Sequence, residues 1–246
     1  MPPCPLKIPM DMLKRLITGC IPDGTPLPIL SGPLRGARWL AGSAPGAAKG
    51  LSVIFNRSEP GQLAEAARFC APGIDCFDIG AHAGLYSLLF ARRCRGVHAF
   101  EPLPANLAWL ARTLKANRIA NAVTVPWALS DVQGAVRFQE GAHSSEGRLD
   151  PRGSLPVYAS TCDAYCAQFG VKPSLLKIDV EGAEASVLRG AAGLLRERRP
   201  SLLLSTHGDG PKEDCFRYLR DLGYDRPKPL DRPFESEASE FSFAGF

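Results

Sequence analysis

The sequence predicts an α/β fold: a mostly parallel sheet with helices on both faces, preceded by an irregular N-terminal arm. Three observations predict it. From residue 60 onward, short apolar segments alternate with longer segments of helical spacing, as in strand–helix–strand units. Ten of the 22 prolines fall in residues 1–60, together with many glycines, so long regular elements are not expected there. Glycines and ionisable residues gather directly after the apolar segments, and open parallel sheets bind ligands at the carboxyl ends of their strands.

Residues 1–59 are therefore read as an arm or cap and 60–246 as the main domain. Within the arm a short helix is expected over 10–18, stopped by Gly19. The spacing predicts a helix over 61–70, ended by Ala71-Pro72-Gly73, then a strand over 74–79. A helix over 84–94 stops at Gly96, a strand covers 97–100, and a helix over 104–117 carries apolar residues at 107, 110, 111 and 114. Strands are expected over 123–127 and 136–138, and a polar, glycine-rich loop over 140–156. A helix over 162–169, a strand over 175–180, a helix over 183–189 with a second, turn-rich helix after it, and a strand over 201–206 follow. A helix over 212–222 and a last strand within 240–246 complete the reading. Right-handed crossovers leave few topologies for such an order.

Composition bounds the function. The 246 residues are 45% apolar and 22% charged, enough to bury a full core, which excludes wholesale disorder. The net charge of +4 does not demand a nucleic-acid partner. No apolar run reaches the length of a membrane span, and Lys7, Asp11, Lys14 and Arg15 interrupt any export signal, so a soluble cytoplasmic protein is expected. The eight cysteines form no C-x-x-C pair and are read as buried or idle thiols, not disulfides or zinc ligands.

The residues after each strand carry the chemistry. Asp78-Ile79-Gly80-Ala81-His82-Ala83-Gly84 opens a helix with a G-x-x-x-G turn, where glycine lets a ligand approach the backbone and the helix start offers unpaired amides. The dinucleotide fingerprint is absent, and Asp78 disfavours a pyrophosphate while suiting a ligand with positive charge. Glu101, 17 residues past Gly84, is either a solvated strand end or, with the glycine turn, a group accepting from both hydroxyls of a ribose. Asp131, in Ala128-Leu129-Ser130-Asp131, either accepts from an exocyclic amine such as that of adenine or caps the next turn.

Together these segments resemble a known family. F-D-I-G-A-H-A-G-L-Y-S (77–87), A-F-E-P (99–102), A-L-S-D (128–131), T-C-D-A-Y (161–165) and L-K-I-D-V-E-G-A-E-A-S-V-L-R-G-A (176–191) are similar, in this order, to the FkbM family of S-adenosylmethionine-dependent methyltransferases. G-P-L-R-G-A-R-W-L (32–40) and Pro72-Gly73 resemble that family's entry segment, so the likeness covers about residues 30–225. It implies a class I methyltransferase (Rossmann-like) fold, a seven-stranded sheet whose last strand is inserted antiparallel. It implies S-adenosylmethionine as cofactor, with Asp78, Gly80, Ala81 and Gly84 shaping the methionine side, Glu101 and Pro102 at the ribose, and Ser130 and Asp131 at adenine. His82 stands where the family often has asparagine, and Ser205 where it often has glutamate.

The strand over 175–180 ends in Lys177-Ile178-Asp179-Val180-Glu181-Gly182-Ala183-Glu184, four ionisable groups at the productive sheet edge. Alternation puts Lys177, Asp179 and Glu181 on one side until the strand ends, and Glu181 and Glu184 can share a face of the new helix. The next strand ends in Ser205-Thr206-His207. His207 and Asp179 are expected nearest the acceptor, His207 as general base because its free pKa is near neutral. Lys177 and Glu184 support them, Glu181 and His207 touch substrate, and Asp179 is the alternative base or a holder of the methionine end. Asp179, Glu181 and His207 are also possible oxygen and nitrogen ligands, but with no helical histidine pair or cysteine cluster no metal site is assigned.

The function expected is O-methylation of a hydroxyl on a small molecule or glycan, such as a sugar or polyketide. A catalytically silent binding protein and an RNA ribose methyltransferase are the alternatives. Retention of Asp78, Glu101, Asp179 and Glu181 speaks against the first, and the lack of an aromatic-interleaved basic stripe against the second. Neither nucleic acid nor a membrane span is expected, and a homo-oligomer is compatible with the sequence. The acceptor-side residues are expected from the arm and the 140–156 loop.

Overall fold

Alternation along the central strands sets the architecture. In the computed structural model, which describes residues 20–43, 50–141, 147–232 and 237–245, Phe77 and Ile79 enter one core cluster and Cys76 the other. Leu202 and Leu204 likewise face away from Leu203. A sheet apolar on both faces needs a helical layer on each.

In chain order, β1 (Pro26–Pro28) and β2 (Arg38–Leu40) form an antiparallel pair, followed by α1 (Leu51–Ile54), α2 (Pro60–Phe69) and β3 (Asp75–Ile79). Next come α3 (Leu85–Ala91), β4 (Gly96–Phe100), α4 (Pro104–Ala116), β5 (Ala122–Val125), β6 (Trp127–Leu129), β7 (Gly134–Gln139), β8 (Arg148–Leu149) and β9 (Leu155–Ser160). The chain continues through α5 (Cys162–Phe169), β10 (Pro173–Ile178), α6 (Glu184–Gly190), α7 (Ala192–Arg198), β11 (Ser201–Ser205), α8 (Asp209–Asp221), β12 (Lys228–Pro229) and β13 (Glu240–Phe243).

The main sheet has seven strands in the order β12-β13-β11-β10-β3-β4-β5. The five from β11 to β5 are parallel, and β13 is inserted antiparallel between β11 and β12, as the family resemblance implies. Helices α5 to α8 contribute to the core on one face, and α2 and α3 to the core on the other. Ile29, Leu34 and Trp39 of the arm join the second cluster beside Leu88 and Phe90. The Asn117 side chain binds the arm through both backbone groups of Arg38, at 2.7 and 2.8 Å.

Three expectations are corrected. The strand expected over 123–127 breaks at Pro126, which has no N–H to continue a ladder, and Trp127 begins β6 in a separate four-stranded sheet of order β6-β9-β7-β8. The loop expected over 140–156 carries β8 and the start of β9. Strand β12 was not anticipated, since two residues carry no periodicity. The helix expected over 10–18 and residues 142–146 lie outside the described residues. Among the described residues, no helix is long and apolar enough to cross a membrane, and the seven cysteines are free thiols.

The turn after β3 is fixed by protein backbone. Gly80 has φ +78°, and a Cβ there would stand 1.8 Å from the Asp179 carbonyl oxygen. The sequence assigns this glycine to ligand approach, and the atom nearest that Cβ position is protein backbone, at Asp179 just past the neighbouring strand β10. Gly80→Val is expected to lower stability by about 3 kcal/mol or more, from strain and overpacking together. An unchanged urea midpoint would contradict this.

Candidate active site

At the carboxyl ends of β3, β4, β10 and β11 lies a cavity of about 410 Å³. Its floor is a buried charge group. Lys177, on β10, has a side chain only 7% exposed. Its Nζ donates to the Gly80 carbonyl at 3.0 Å and stands 3.2 Å from Asp179 Oδ2 and 3.7 Å from Asp78 Oδ1. The Tyr86 ring lies 5.2 Å from the ammonium. Burial presses the Lys177 pKa down, but Asp179, Asp78 and Glu59 outweigh it and hold the group above its usual value.

Asp78 is fully buried. Its Oδ2 accepts from Ser87 Oγ at 2.5 Å, while Oδ1 makes no hydrogen bond and faces Lys177. Burial pushes its carboxyl up against the pull of Lys177 and Ser87. Asp78 does not line the cavity and bears on it through Lys177. Gly84 also lies off the cavity wall: it caps α3 at φ +93°, against Leu110.

Glu101 is 4% exposed and lines the cavity. Its Oε2 accepts from the His82 N–H at 2.8 Å, and Oε1 from the Leu103 N–H at 2.9 Å and Asn106 Nδ2 at 3.4 Å. A carboxylate offers about four acceptor sites. Three are taken, so the group is fixed in orientation with capacity left for a ligand. Burial raises its pKa against the pull of these donors. His82 adopts φ +48°, an uncommon conformation that aims its amide at Glu101.

Beyond Glu101 the wall turns apolar, with Leu103, Trp127, Leu129 and Phe138. The structure does not bring Ser130 or Asp131 to the cavity. Ser130 is buried with its carbonyl against Gly190, and Asp131 is exposed, paired with Arg189 Nε at 2.8 Å. Leu103, Trp127 and Phe138 were not anticipated. The signal for Trp127 and Phe138 was the apolar residues of the expected strands at 123–127 and 136–138, and Leu103 directly follows Glu101-Pro102.

At the other end Asp179, Glu181 and His207 converge. His207 Nδ1 lies 2.8 Å from Oε1 of Glu184, and Nε2 lies 3.5 Å from Glu181 Oε2 and 3.7 Å from Asp179 Oδ1. Glu184 is fully buried, so it meets the cavity only through His207. The Glu184 contact, against the cost of burial and with help from Asp179 and Glu181, lifts the His207 pKa to about 9. The near-neutral value that marked His207 as a base does not survive these neighbours.

Two further carboxylates line the cavity without any sequence motif to announce them. Glu59, from the arm, accepts from the Tyr86 hydroxyl at 2.6 Å. Glu240, on β13, accepts from Ser205 Oγ at 2.7 Å. Ser205 and Glu240 are register partners, so the neighbouring strand supplies the carboxylate where the family resemblance expects a glutamate on β11. Burial first, then Asp179 and Glu59, raise the Glu240 pKa to about 7, with Ser205 and Lys177 opposing. Trp39 and Val53 of the arm, with Gly147 and Leu149, close the rim.

The chain matches the methyltransferase FkbM domain over residues 78–226. It is 26% identical over 141 residues to the hexuronic acid methyltransferase AglP of Haloferax volcanii, a match that spans 56% of this chain and 58% of that protein. Methyltransferase FkbM from Methylobacillus flagellatus KT superposes with a TM-score of 0.55 at 18% identity, over 70% of this chain and 44% of that one. Ribosomal protein L11 methylase from Lactobacillus delbrueckii subsp. bulgaricus superposes with a TM-score of 0.50 at 9% identity, over 77% and 79%. These structural likenesses show the class I fold.

Lys177→Met leaves Asp78 buried without its cation and is expected to cost about 3–5 kcal/mol. Adding Asp78→Asn should recover a large part of that loss in a double-mutant cycle. Additive losses in urea would show that the pair does not couple. Glu240, with a folded pKa above its ordinary 4.5, contributes stability that is complete below about 4.5 and lost as pH rises through about 7. Relative to Glu240→Gln, the wild type should therefore lose on the order of 2 kcal/mol between pH 5 and pH 8. Parallel stability–pH curves would contradict it.

Proposed function

The chain belongs to the FkbM methyltransferase family, and from that premise we propose that it transfers the methyl group of S-adenosylmethionine to a hydroxyl oxygen of a small molecule or glycan. The observation that carries the cofactor reading is Glu101, a buried carboxylate pre-oriented by two backbone amides at the mouth of the glycine turn. Such a group suits a ribose diol. The apolar slot of Leu103, Trp127 and Phe138 suits a purine ring, and the turn at Gly80–His82 above the Lys177 group suits the amino-acid end, with its charges of both signs. The cavity volume falls in the range of small-molecule sites.

When bound, the cofactor supplies an activated methyl group, which passes to the acceptor oxygen while the sulfur keeps the bonding pair. The protein's task is to align the hydroxyl and dispose of its proton. Asp179, Glu181 and His207 stand at the cavity wall for this, with Lys177 holding Asp179 and Glu184 holding His207. The relative's name makes a hexuronic acid the first acceptor to try.

Calorimetry with S-adenosylhomocysteine tests the reading. Glu101→Ala should weaken binding by roughly 2 kcal/mol, since charge-assisted bonds are lost. Asp131→Ala, off the cavity, should leave affinity unchanged. No binding by the wild type, or loss on Asp131→Ala with none on Glu101→Ala, would overturn it.

A further inference from the structure

The two nitrogens of His207 are in different situations. Nδ1 lies 2.8 Å from Glu184 Oε1, an ordinary hydrogen-bond distance. Nε2 lies 3.5 and 3.7 Å from one oxygen each of Glu181 and Asp179, too far for either to be a hydrogen bond. One ligand atom from each of Asp179, Glu181 and His207 fits within a 4.8 Å spread. Ligands held about 2.1–2.4 Å from an ion at right angles stand roughly 3.0–3.4 Å apart. The observed gaps are therefore long for a shared proton and within a few tenths of an ångström of a shared cation.

Glu184 is the second, independent observation. Its side chain is wholly buried and aimed at this group. Oε1 accepts from the Gly182 N–H at 2.9 Å and meets His207, while Oε2 has no hydrogen-bond partner. Such a burial is poor value for stability. It is the arrangement that fixes a ligating imidazole, with Nδ1–H donated to a carboxylate and the Nε2 lone pair presented outward. Asp179 is divided in the same way: Oδ2 faces Lys177 and Oδ1 faces His207. Glu181 is brought in by a backbone at φ +53°, outside the range most side chains adopt.

We propose that Asp179, Glu181 and His207 bind one divalent cation of the first transition series, with its open positions toward the cavity. Two carboxylates and an imidazole suit Mn²⁺ or a neighbouring ion better than Mg²⁺, which prefers oxygen alone. The role in catalysis rests on the hydroxyl-transfer reading: bound there, the cation would take the acceptor oxygen as a ligand and lower its pKa, the hydroxyl proton would pass to solvent water, and the freed oxygen pair would bond the methyl carbon as the C–S pair leaves with sulfur. The binding itself does not depend on that reading.

The test is Mn²⁺ binding to the full chain without cofactor or acceptor, followed by electron paramagnetic resonance and calorimetry at pH 7.5. One site is expected, with nitrogen coupling from a single imidazole. Asp179→Asn and His207→Ala should each weaken binding at least roughly tenfold, and Glu184→Gln, which supplies no ligand atom and acts only through His207, by about tenfold. Thermal melting reports whether each variant is folded, and the nitrogen coupling in the wild type needs no variant. No binding at millimolar Mn²⁺, or binding without nitrogen coupling, would overturn the proposal and leave a charged imidazole among carboxylates. Coupled binding without methyl transfer to any hydroxyl would uphold the site and overturn only its catalytic role.

Discussion

The ammonium of Lys177 is the constraint on which the rest of the structure depends. It sits below the cavity between the ends of β3 and β10, bonded to the Gly80 carbonyl and flanked by Asp78 and Asp179. A buried ion group of this kind adds little to net stability, because desolvation offsets attraction. What it determines is position. The turn after β3 and the acidic segment after β10 are drawn so close that Gly80 has no room for a Cβ. The two halves of the cavity, the glycine turn with Glu101 and the Asp179–His207 group, thereby meet at one ammonium.

From that ammonium outward, the cavity divides by polarity. Toward β4 and the small sheet, one oriented carboxylate gives way to an apolar slot. Toward β11 and β13, carboxylates accumulate around Lys177 and His207, so that burial and like charge lift Glu240 while the Glu184 contact lifts His207. The arm contributes to this end with Glu59, tied to Tyr86 on α3. Sequence from far outside the matched domain, at residues 39–59, thus helps build the pocket wall.

The parts of this arrangement legible in the sequence are those set by local rules. Helix α5 lies where the spacing puts it, with Thr161 accepting from the Ala164 N–H as N-cap, and β3, β4 and α4 agree within a residue. Of the small sheet only β7 was legible, because β9 is half exposed and β8 has only two residues. Asp131 could not be placed because its partner Arg189 is 58 residues away in sequence. Glu59 sits in a segment without periodicity or motif, and Glu240 opens the alternating tail strand, which only the insertion of β13 beside β11 brings to the cavity. The raised pKa of His207 was hidden for a similar reason: Glu184 is 23 residues away, on another element.

The account turns on where the cofactor lies, and a crystal structure of the chain with S-adenosylhomocysteine tests that most directly. The ribose hydroxyls should meet Glu101, the base should lie among Leu103, Trp127 and Phe138, and Asp131 should remain on Arg189. A ligand bound outside the cavity, or one whose adenine takes Asp131 from Arg189 while Glu101 stays untouched, would contradict it.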